Sequence, residues 1–220
     1  MNIVNNIVES KRMNRYSYCL NNPLKYVDPT GQTIVIAGNQ ADISLQQLQS
    51  FTNLTLTKND NGMISIIGDI PSKLNSRDQW LMSIINDKKI TVNITATDAD
   101  IQNRYGGAFW GNKVNFDADG NAISVSTDQR VNPLKNYILD SFGERGQTIF
   151  HEITESFLGG KYSMIFGKSA LPAVQGNSTY NTIADPAHRD AYPQPTEDKA
   201  KIEQRMKAID AIKNFINKNW

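Results

Sequence analysis

The amino-acid sequence predicts an α+β fold, in which a twisted and largely antiparallel sheet is followed by a helix that carries the functional residues and by a C-terminal helix. Three observations predict it: two hairpin patterns before residue 130, a well-alternating strand between them, and helical spacing of apolar residues after residue 146. Strands that come first and helices that come later are typical of this class, because each layer buries its apolar side against another.

The first predicted strands surround a short helix. Residues 33–37 alternate weakly and predict a strand, and residues 42–51 carry apolar side chains at a spacing that suits a short helix. Residues 54–57 and 63–67 then flank a turn that contains Asn61-Gly62, and Asn-Gly between alternating apolar residues is a strong signal for a hairpin.

A second helix and a second hairpin follow. Ser72 is placed to cap a helix that runs through about Asn86. Residues 90–97 alternate between apolar and polar side chains, which predicts a strand with one buried face. The glycine-rich segment 106–111 predicts a turn near the sheet edge, and a hairpin joins residues 114–116 to 123–125.

The rest of the chain is predicted to be mainly helical, with one long loop. Residues 147–158 predict a helix that Gly159-Gly160 ends. Residues 158–196 are rich in Gly, Ser, Asn and Pro, and a long irregular segment of this kind is usually functional or disordered. Residues 196–220 predict an amphipathic helix with five inward-facing residues: Ile202, Met206, Ile209, Ile212 and Phe215.

Composition limits the classes of partner. The 220 residues are 39% hydrophobic and 20% charged, which is enough to bury a core without disulfide bonds. A formal net charge of +1 argues against a surface for nucleic acid or anionic membranes. The single cysteine, Cys19, excludes a multi-thiolate zinc site. No stretch predicts a membrane span, and residues 1–9 lack the basic and apolar regions of a signal peptide.

Only two histidines occur in the chain, and both lie where a metal ion could use them. On a helix, His151 and Glu155 share one face at the spacing with which two side chains bind one zinc ion. His188, in the later loop, would complete three protein ligands and leave the fourth position for water. Glu152 would then act as general base on that water, whose pKa zinc lowers to about 7. The alternative, in which no metal is bound, is a partly buried histidine beside a solvated, acidic helix face.

Residues 15–31 carry a dense motif, Arg-Tyr-Ser-Tyr-Cys-Leu-Asn-Asn-Pro-Leu-Lys-Tyr-Val-Asp-Pro-Thr-Gly. It resembles the end of the core region in Rhs/YD-repeat proteins, whose terminal motif runs Arg-Tyr-x-Tyr, Asn-Pro-Leu, Tyr and Asp-Pro-x-Gly. The resemblance implies that residues 1–31 end a shell of tyrosine-rich repeats and that residues 32–220 are an effector domain. It also implies secretion or cell-surface delivery within a larger Rhs-type carrier, and a cognate immunity protein as partner.

The predicted ligands are those of a two-histidine, one-glutamate metallopeptidase with positions exchanged, since the zincin helix reads His-Glu-x-x-His and Glu155 replaces its second histidine. With the distal Ala187-His188, the segment is similar to a group of effector domains of Rhs-type proteins that are regarded as metallopeptidases and share His-Glu-x-Thr-Glu. The resemblance implies a zincin-like fold, whose edge strand can bind an extended peptide. Residues 114–116 or 123–125 are the candidates for that edge.

Four neighbours of the predicted site are candidates for supporting roles. Asp185 and Asp190 flank His188, and one of them could hold an imidazole N–H and fix its tautomer. Tyr180 and Tyr192 could donate a hydrogen bond to a developing oxyanion. The alternative for the two acids is solvation of a loop, and for the two tyrosines it is packing.

Three classes of function fit the sequence. The first is a zinc-dependent peptidase effector that hydrolyses peptide bonds of a peptide or protein substrate. The second is another effector enzyme, such as a nuclease, although the charge balance lacks the basic face that phosphate backbones usually require. The third is a noncatalytic binding domain carried by an Rhs-type protein.

Overall fold

The computed structural model describes residues 34–98, residues 106–191 and, beyond these, Gln204 and Lys207. The motif at 15–31 and the predicted domain boundary after residue 31 lie outside the described residues. Most of the predicted helix at 196–220 does too, and the two residues described there are helical. None of the helices in the described part of the chain is both long and apolar enough to span a membrane.

The described residues form a mixed α+β fold with two sheets and five α-helices. The strands are β1 (Ile34–Ala37), β2 (Thr55–Lys58), β3 (Ile64–Ile67), β4 (Ile90–Ala96), β5 (Gly107–Phe116) and β6 (Ala122–Val131). The helices are α1 (Ala41–Gln49), α2 (Ser76–Ile85), α3 (Pro133–Asp140), α4 (Gln147–Phe166) and α5 (Asp185–Asp190). A π-helical turn, Tyr180–Ala184, leads directly into α5.

The main sheet is mixed and twisted rather than largely antiparallel. Its strand order is β1-β4-β6-β5, and both β1–β4 and β4–β6 are parallel pairs. Only β5–β6 is antiparallel, and β2–β3 form a separate antiparallel pair. The two hairpins can be predicted from local sequence. The other strand pairs, β1–β4 and β4–β6, are joined by long connections, and parallel pairs require connections of that kind. Of the two candidate edges, 114–116 lies on the edge strand β5, whereas 123–125 lies inside the sheet on β6.

Most short elements form where the sequence predicts them. The strand at 33–37, the helix at 42–51, both hairpins and the strand at 90–97 are confirmed. The predicted alternation of β4 is confirmed as well, since one face of it is fully buried. The helix predicted from Ser72 begins later, at Ser76, because the Asn75 side chain is its cap and accepts a hydrogen bond from the Asp78 N–H at 2.8 Å.

Two elements differ from the sequence prediction near the sheet edge. Most of the segment at 106–111 is the start of β5 rather than a turn, and the backbone irregularity there is a β-bulge between Phe109 and Gly111. The helix α3 was not predicted from the sequence, although Asn132 caps it and Pro133 starts it, a common arrangement at a helix N-terminus.

The helix α4 extends well beyond its predicted end. It continues through Gly159 and Gly160 to Phe166, and Gly167 ends it in a left-handed conformation with φ of 56°. The glycine pair brings the helix close to the sheet, because Gly159 faces the Phe109 ring and Gly160 faces Ile90. The pair is therefore a packing feature inside the helix and does not terminate it.

Asp140 fixes the beginning of α4. Its carboxylate accepts hydrogen bonds from the Gly146 N–H at 2.6 Å, the Thr148 N–H at 2.9 Å and the Thr148 hydroxyl at 2.6 Å. Burial raises the pKa of Asp140, although these hydrogen bonds counteract the effect. A carboxylate at this end also interacts favourably with the helix dipole. The start of α4 is therefore held directly to the end of α3.

We expect Gly160→Ala to destabilise the fold. A methyl group there would lie 2.7 Å from Cγ2 of Ile90 and 3.0 Å from Cγ2 of Thr127. Overpacking of this kind costs about 1–3 kcal/mol, and the roughly 0.5–1 kcal/mol that alanine gains over glycine in a helix offsets part of it. Urea unfolding measures the difference. The control Ile165→Ala, at a residue of the same helix that is 73% exposed, should stay within about 0.5 kcal/mol of the wild type. Equal stabilities for all three proteins would contradict the close packing.

Candidate metal centre

Two of the predicted ligands lie one turn apart on the buried side of α4. His151 is fully buried and Glu155 is 5% exposed. Both are fixed by the helix backbone, so their separation is determined locally, and the packing of α4 on the sheet surrounds them with protein. Burial without a partner is costly for a carboxylate, which is why this pair requires an explanation.

The third predicted ligand, His188, reaches the same place by a return of the chain. After Gly167 the chain follows the outer edge of β5, where the Asn112 N–H donates to the Ala170 carbonyl at 3.0 Å. It then forms the π-helical turn and α5, in which His188 lies. Two parts of the segment 158–196, which the sequence predicts to be irregular, are thus helical. These are the last turns of α4 and the whole of α5.

Contacts with α4 hold α5 in position. The Tyr162 hydroxyl donates a hydrogen bond to Oδ2 of Asp190 at 2.6 Å, and Ala187 is fully buried. The hydrogen bond to Asp190 raises the pKa of Tyr162. Tyr162 lies two helical turns beyond Glu155, so the same helix that presents two ligands also anchors the segment that presents the third.

The three side chains converge through one atom each. Nε2 of His151 lies 3.3 Å from Nδ1 of His188 and 3.7 Å from Oε2 of Glu155, and that oxygen lies 3.1 Å from Nδ1 of His188. Two atoms bound to a tetrahedral zinc ion, each at roughly 2.0–2.1 Å, lie about 3.3–3.4 Å from one another. The measured separations bracket this value. The cluster could therefore hold a metal ion.

The cluster is open on one side. The His188 side chain is 57% exposed, whereas those of His151 and Glu155 are almost fully buried. A three-ligand site with one solvent-facing ligand leaves room for water or substrate in the remaining coordination position, as hydrolytic zinc sites do.

Glu152 is buried beside these ligands. Nε2 of Gln129, on β6, donates a hydrogen bond to its carboxylate Oε2. Desolvation by burial raises the pKa of Glu152 well above its usual range, the negative charge of Glu155 raises it further, and the hydrogen bond from Gln129 lowers it. The negative charge of Glu155 therefore disfavours a negative charge on the nearby, buried Glu152. A bound cation would reduce this repulsion.

Gln129 and Gly107 belong to the site but were not identified from the sequence. Gln129 is buried, and its Oε1 has no hydrogen-bond partner among the described residues. Gly107 lies so close to the Glu152 carboxyl group that any side chain there would collide with it. The signal in the sequence is a glutamine at an inward position of a strand on which two of the other inward residues, Val125 and Val131, are apolar. Polar groups in such positions usually have a specific purpose.

The four residues proposed for supporting roles lie in different surroundings. Asp185 pairs with Arg189 at 3.4 Å, and Asp190 accepts the hydrogen bond from Tyr162. Tyr180 packs against the small cluster that contains Phe109 and Ile183. Tyr192 lies outside the described residues. The structure thus gives Asp190 a clear role in holding α5.

We expect one zinc ion per chain in protein prepared without chelators, as measured by elemental analysis. His151→Ala, His188→Ala and Glu155→Gln should each weaken zinc binding by more than the roughly 10–100-fold that loss of an outer partner costs. Zinc at a hundred times its dissociation constant should stabilise the wild type by about 2.7 kcal/mol. The matched control is Glu144→Gln, at an exposed glutamate that pairs with Arg77. Equal zinc content in all variants would contradict the assignment of ligands.

We expect Tyr162→Phe to weaken zinc binding without removing a ligand. The change deletes the hydroxyl that holds Asp190, so α5 and His188 become less well positioned, and loss of such support typically costs 10–100-fold. Competition with a chromogenic chelator measures the affinity. Tyr137→Phe, at an exposed tyrosine on α3, is the matched control and should bind zinc as the wild type does. The role of the hydrogen bond is refuted if both variants bind equally well.

In comparisons with known proteins, no family, curated protein or solved structure matches this chain. The assignment of the site therefore depends on the distances and burial of the described residues. The convergence of His151, Glu155 and His188 is the main observation.

Proposed function

We propose that the domain is a zinc-dependent peptidase effector that hydrolyses peptide bonds. The observation that carries the proposal is the meeting of Nε2 of His151, Oε2 of Glu155 and Nδ1 of His188 at separations of 3.1–3.7 Å, with a second acidic residue, Glu152, beside them. Two imidazoles and one carboxylate are a ligand set that hydrolytic zinc sites use.

The donor atoms favour zinc over the harder cations. Magnesium and calcium prefer sites built from oxygen atoms, whereas two imidazole nitrogens and one oxygen suit zinc. When bound, zinc would polarise a peptide carbonyl and lower the pKa of a water molecule. The chain's own groups supply the rest of the chemistry.

Glu152 is the residue best suited to move protons. It would accept a proton from the attacking water as the new C–O bond forms, and it would then deliver that proton to the nitrogen of the leaving amine as the C–N bond breaks. Gln129 orients its carboxylate through Oε2. Burial and the charge of Glu155 raise the pKa of Glu152, and a divalent cation beside Glu155 would favour the charged form that a base requires.

The arrangement of the sheet supports a zincin-like interpretation. An edge strand, β5, begins beside Glu152 and runs along the same helix that bears two ligands. An edge strand can pair with an extended peptide by adding a strand to the sheet. The motif at 15–31 supports delivery by an Rhs-type carrier, with an immunity protein that would protect the producing cell.

We expect Glu152→Gln to abolish hydrolysis while it keeps the metal. Removal of a general base lowers turnover by about 10²–10⁴-fold, whereas the three ligand atoms remain. Zinc content and cleavage of a mixture of unstructured peptides are measured on the same preparation. Glu144→Gln is the matched control and should retain both properties.

Three results would favour other functions. Cleavage of DNA or RNA with magnesium and without zinc would favour a nuclease. Zinc without cleavage of any substrate would favour a binding domain. Full peptidase activity in Glu152→Gln would exclude Glu152 as the base and leave the metal site intact.

A further inference from the structure

The chain itself covers most of the outer edge of β5. The Val114 N–H donates to Oγ of Ser169 at 2.9 Å, and the Asn112 N–H donates to the Ala170 carbonyl at 3.0 Å. The Ala173 N–H donates to the Phe109 carbonyl at 3.0 Å. Residues 169–173, which we name the edge strap, therefore run antiparallel to β5 and occupy the place of an added strand.

The edge strap is closely fitted to the strand. Gly111 has φ of 104°, and a Cβ atom there would lie 2.5 Å from the Ala170 carbonyl oxygen. Oδ1 of Asn112 accepts hydrogen bonds from the Ala170 N–H at 2.8 Å and the Ser163 hydroxyl at 3.0 Å. Nδ2 of the same asparagine donates to the Gly159 carbonyl at 3.1 Å. Asn112 thus ties the strand to both the edge strap and α4.

At the start of β5, no segment in the described part of the chain pairs with the outer edge, so a peptide could pair there. The Gly106 carbonyl accepts a hydrogen bond from the Asn132 N–H, on the side of β6, whereas the Phe109 carbonyl faces the edge strap. Because backbone groups alternate along a strand, those of Gly107 face outward, as those of Phe109 do. Gly107 also faces the Glu152 carboxyl group, because a Cβ atom at Gly107 would collide with it. Only about 7 Å of strand, two residues at roughly 3.3 Å each, separates Gly107 from Phe109.

We infer that the edge strap makes the domain an exopeptidase that trims peptides from the amino end. The inference rests on the proposed peptidase function. A substrate that pairs antiparallel with β5, as the edge strap does, would have its amino terminus next to Ala173 and its carboxyl end beyond Gly107. One or two residues fit between the edge strap and the bond beside Glu152. Longer amino-terminal extensions would collide with the edge strap.

The reaction itself is ordinary hydrolysis. The oxygen of water forms a bond to the carbonyl carbon of the first or second residue, and the C–N bond that follows it breaks. The short amino-terminal piece leaves with a new carboxylate, and the remaining peptide leaves with a new amine that has gained the proton from Glu152. No other reactant is required.

The test uses one unstructured peptide sequence in four forms: with free ends, with an acetylated amino end, with an amidated carboxyl end, and cyclised. Zinc-loaded wild-type protein should shorten the free and amidated forms stepwise from the amino end, as mass spectrometry would show. The acetylated form should be cut only after its first residue, because the acetyl group takes the room of about one residue. The cyclic form, whose chain continues past that room, should react roughly a hundred-fold more slowly or not at all, the scale of discrimination that one ill-fitting group produces.

Each other outcome overturns a separate step. Cleavage of the cyclic form at the rate of the free form would show that the edge strap does not exclude longer chains. Stepwise loss from the carboxyl end would overturn the antiparallel placement. If zinc is bound and none of the four forms is cleaved, the proposed peptidase function fails together with this inference.

A second measurement does not depend on turnover. The amides of Ala170 and Ala173 should exchange slowly with solvent in the wild type and at least ten-fold faster in Asn112→Ala, which loses the hydrogen bonds of the Asn112 side chain. Asn115→Ala is the matched control on the same strand, where the side chain bonds only the Ser124 hydroxyl among the contacts described.

Asn112→Ala that retains zinc should also cleave the cyclic peptide. If Asn112→Ala loses zinc, the same test is made with Ser169→Ala, which removes the hydroxyl that accepts from the Val114 N–H. Rapid exchange at Ala170 and Ala173 in the wild type would overturn the inference.

Discussion

The close packing of α4 against one face of the mixed sheet is the constraint on which the rest of the structure depends. The helix passes directly over Phe109, Ile90 and Thr127, and it can do so only because Gly159 and Gly160 have no side chains. That contact sets the depth at which His151, Glu152 and Glu155 are buried. A helix farther from the sheet would leave the same residues exposed to water. Hydrated carboxylates on a helix surface have no desolvation cost, so a cation would not be needed to offset it.

Burial makes the polar cluster costly unless a further charge is present. Glu152 and Glu155 are both nearly inaccessible, and the negative charge of Glu155 adds to the desolvation that disfavours the charged form of Glu152. Glu155 has the imidazole of His188 at 3.1 Å, whereas the contacts described give Glu152 only the neutral donor Gln129, which does not compensate a buried charge. A divalent cation at the point where the three ligand atoms meet would offset the desolvation of Glu155 directly and that of Glu152 through space. The energetics of burial and the geometry of the ligands thus lead to the same conclusion independently.

Local patterns in the sequence account for much of this structure, and contacts between distant segments account for the remainder. The spacing of His151 and Glu155 is a property of any helix, so it could be predicted, and the alternation of β4 or the Asn61-Gly62 turn is equally local. The parallel pairing of β1, β4 and β6 depends on which strands become neighbours, and no pattern within one strand contains that information. The same reason explains why the sequence predicts a helix end at Gly159-Gly160, whereas the helix continues. Glycine disfavours a helix in isolation, but here the sheet gains a contact that no other residue would permit.

Gln129 and Gly107 show the same limit at the site. Each is unremarkable in its own segment, and each becomes significant only because β5 and β6 lie beneath Glu152. His188 was predicted because histidine is rare in this chain, although nothing local indicates that its segment returns to α4. The return depends on hydrogen bonds such as those of Asn112 and Tyr162, whose partners lie far away in sequence.

The edge strap both covers the edge of β5 and connects α4 to α5. An exposed edge strand invites pairing with other chains, and proteins commonly cover it. Here the covering segment is also the connection from α4 to α5, so it lies between two of the metal ligands and the third. Movement of the edge strap away from β5 would therefore release the connection that carries His188 as well as open the strand. Under the proposed peptidase function, a substrate that displaced the edge strap would also disturb the position of His188, which favours substrates that fit beside the edge strap, with their amino ends at Ala173.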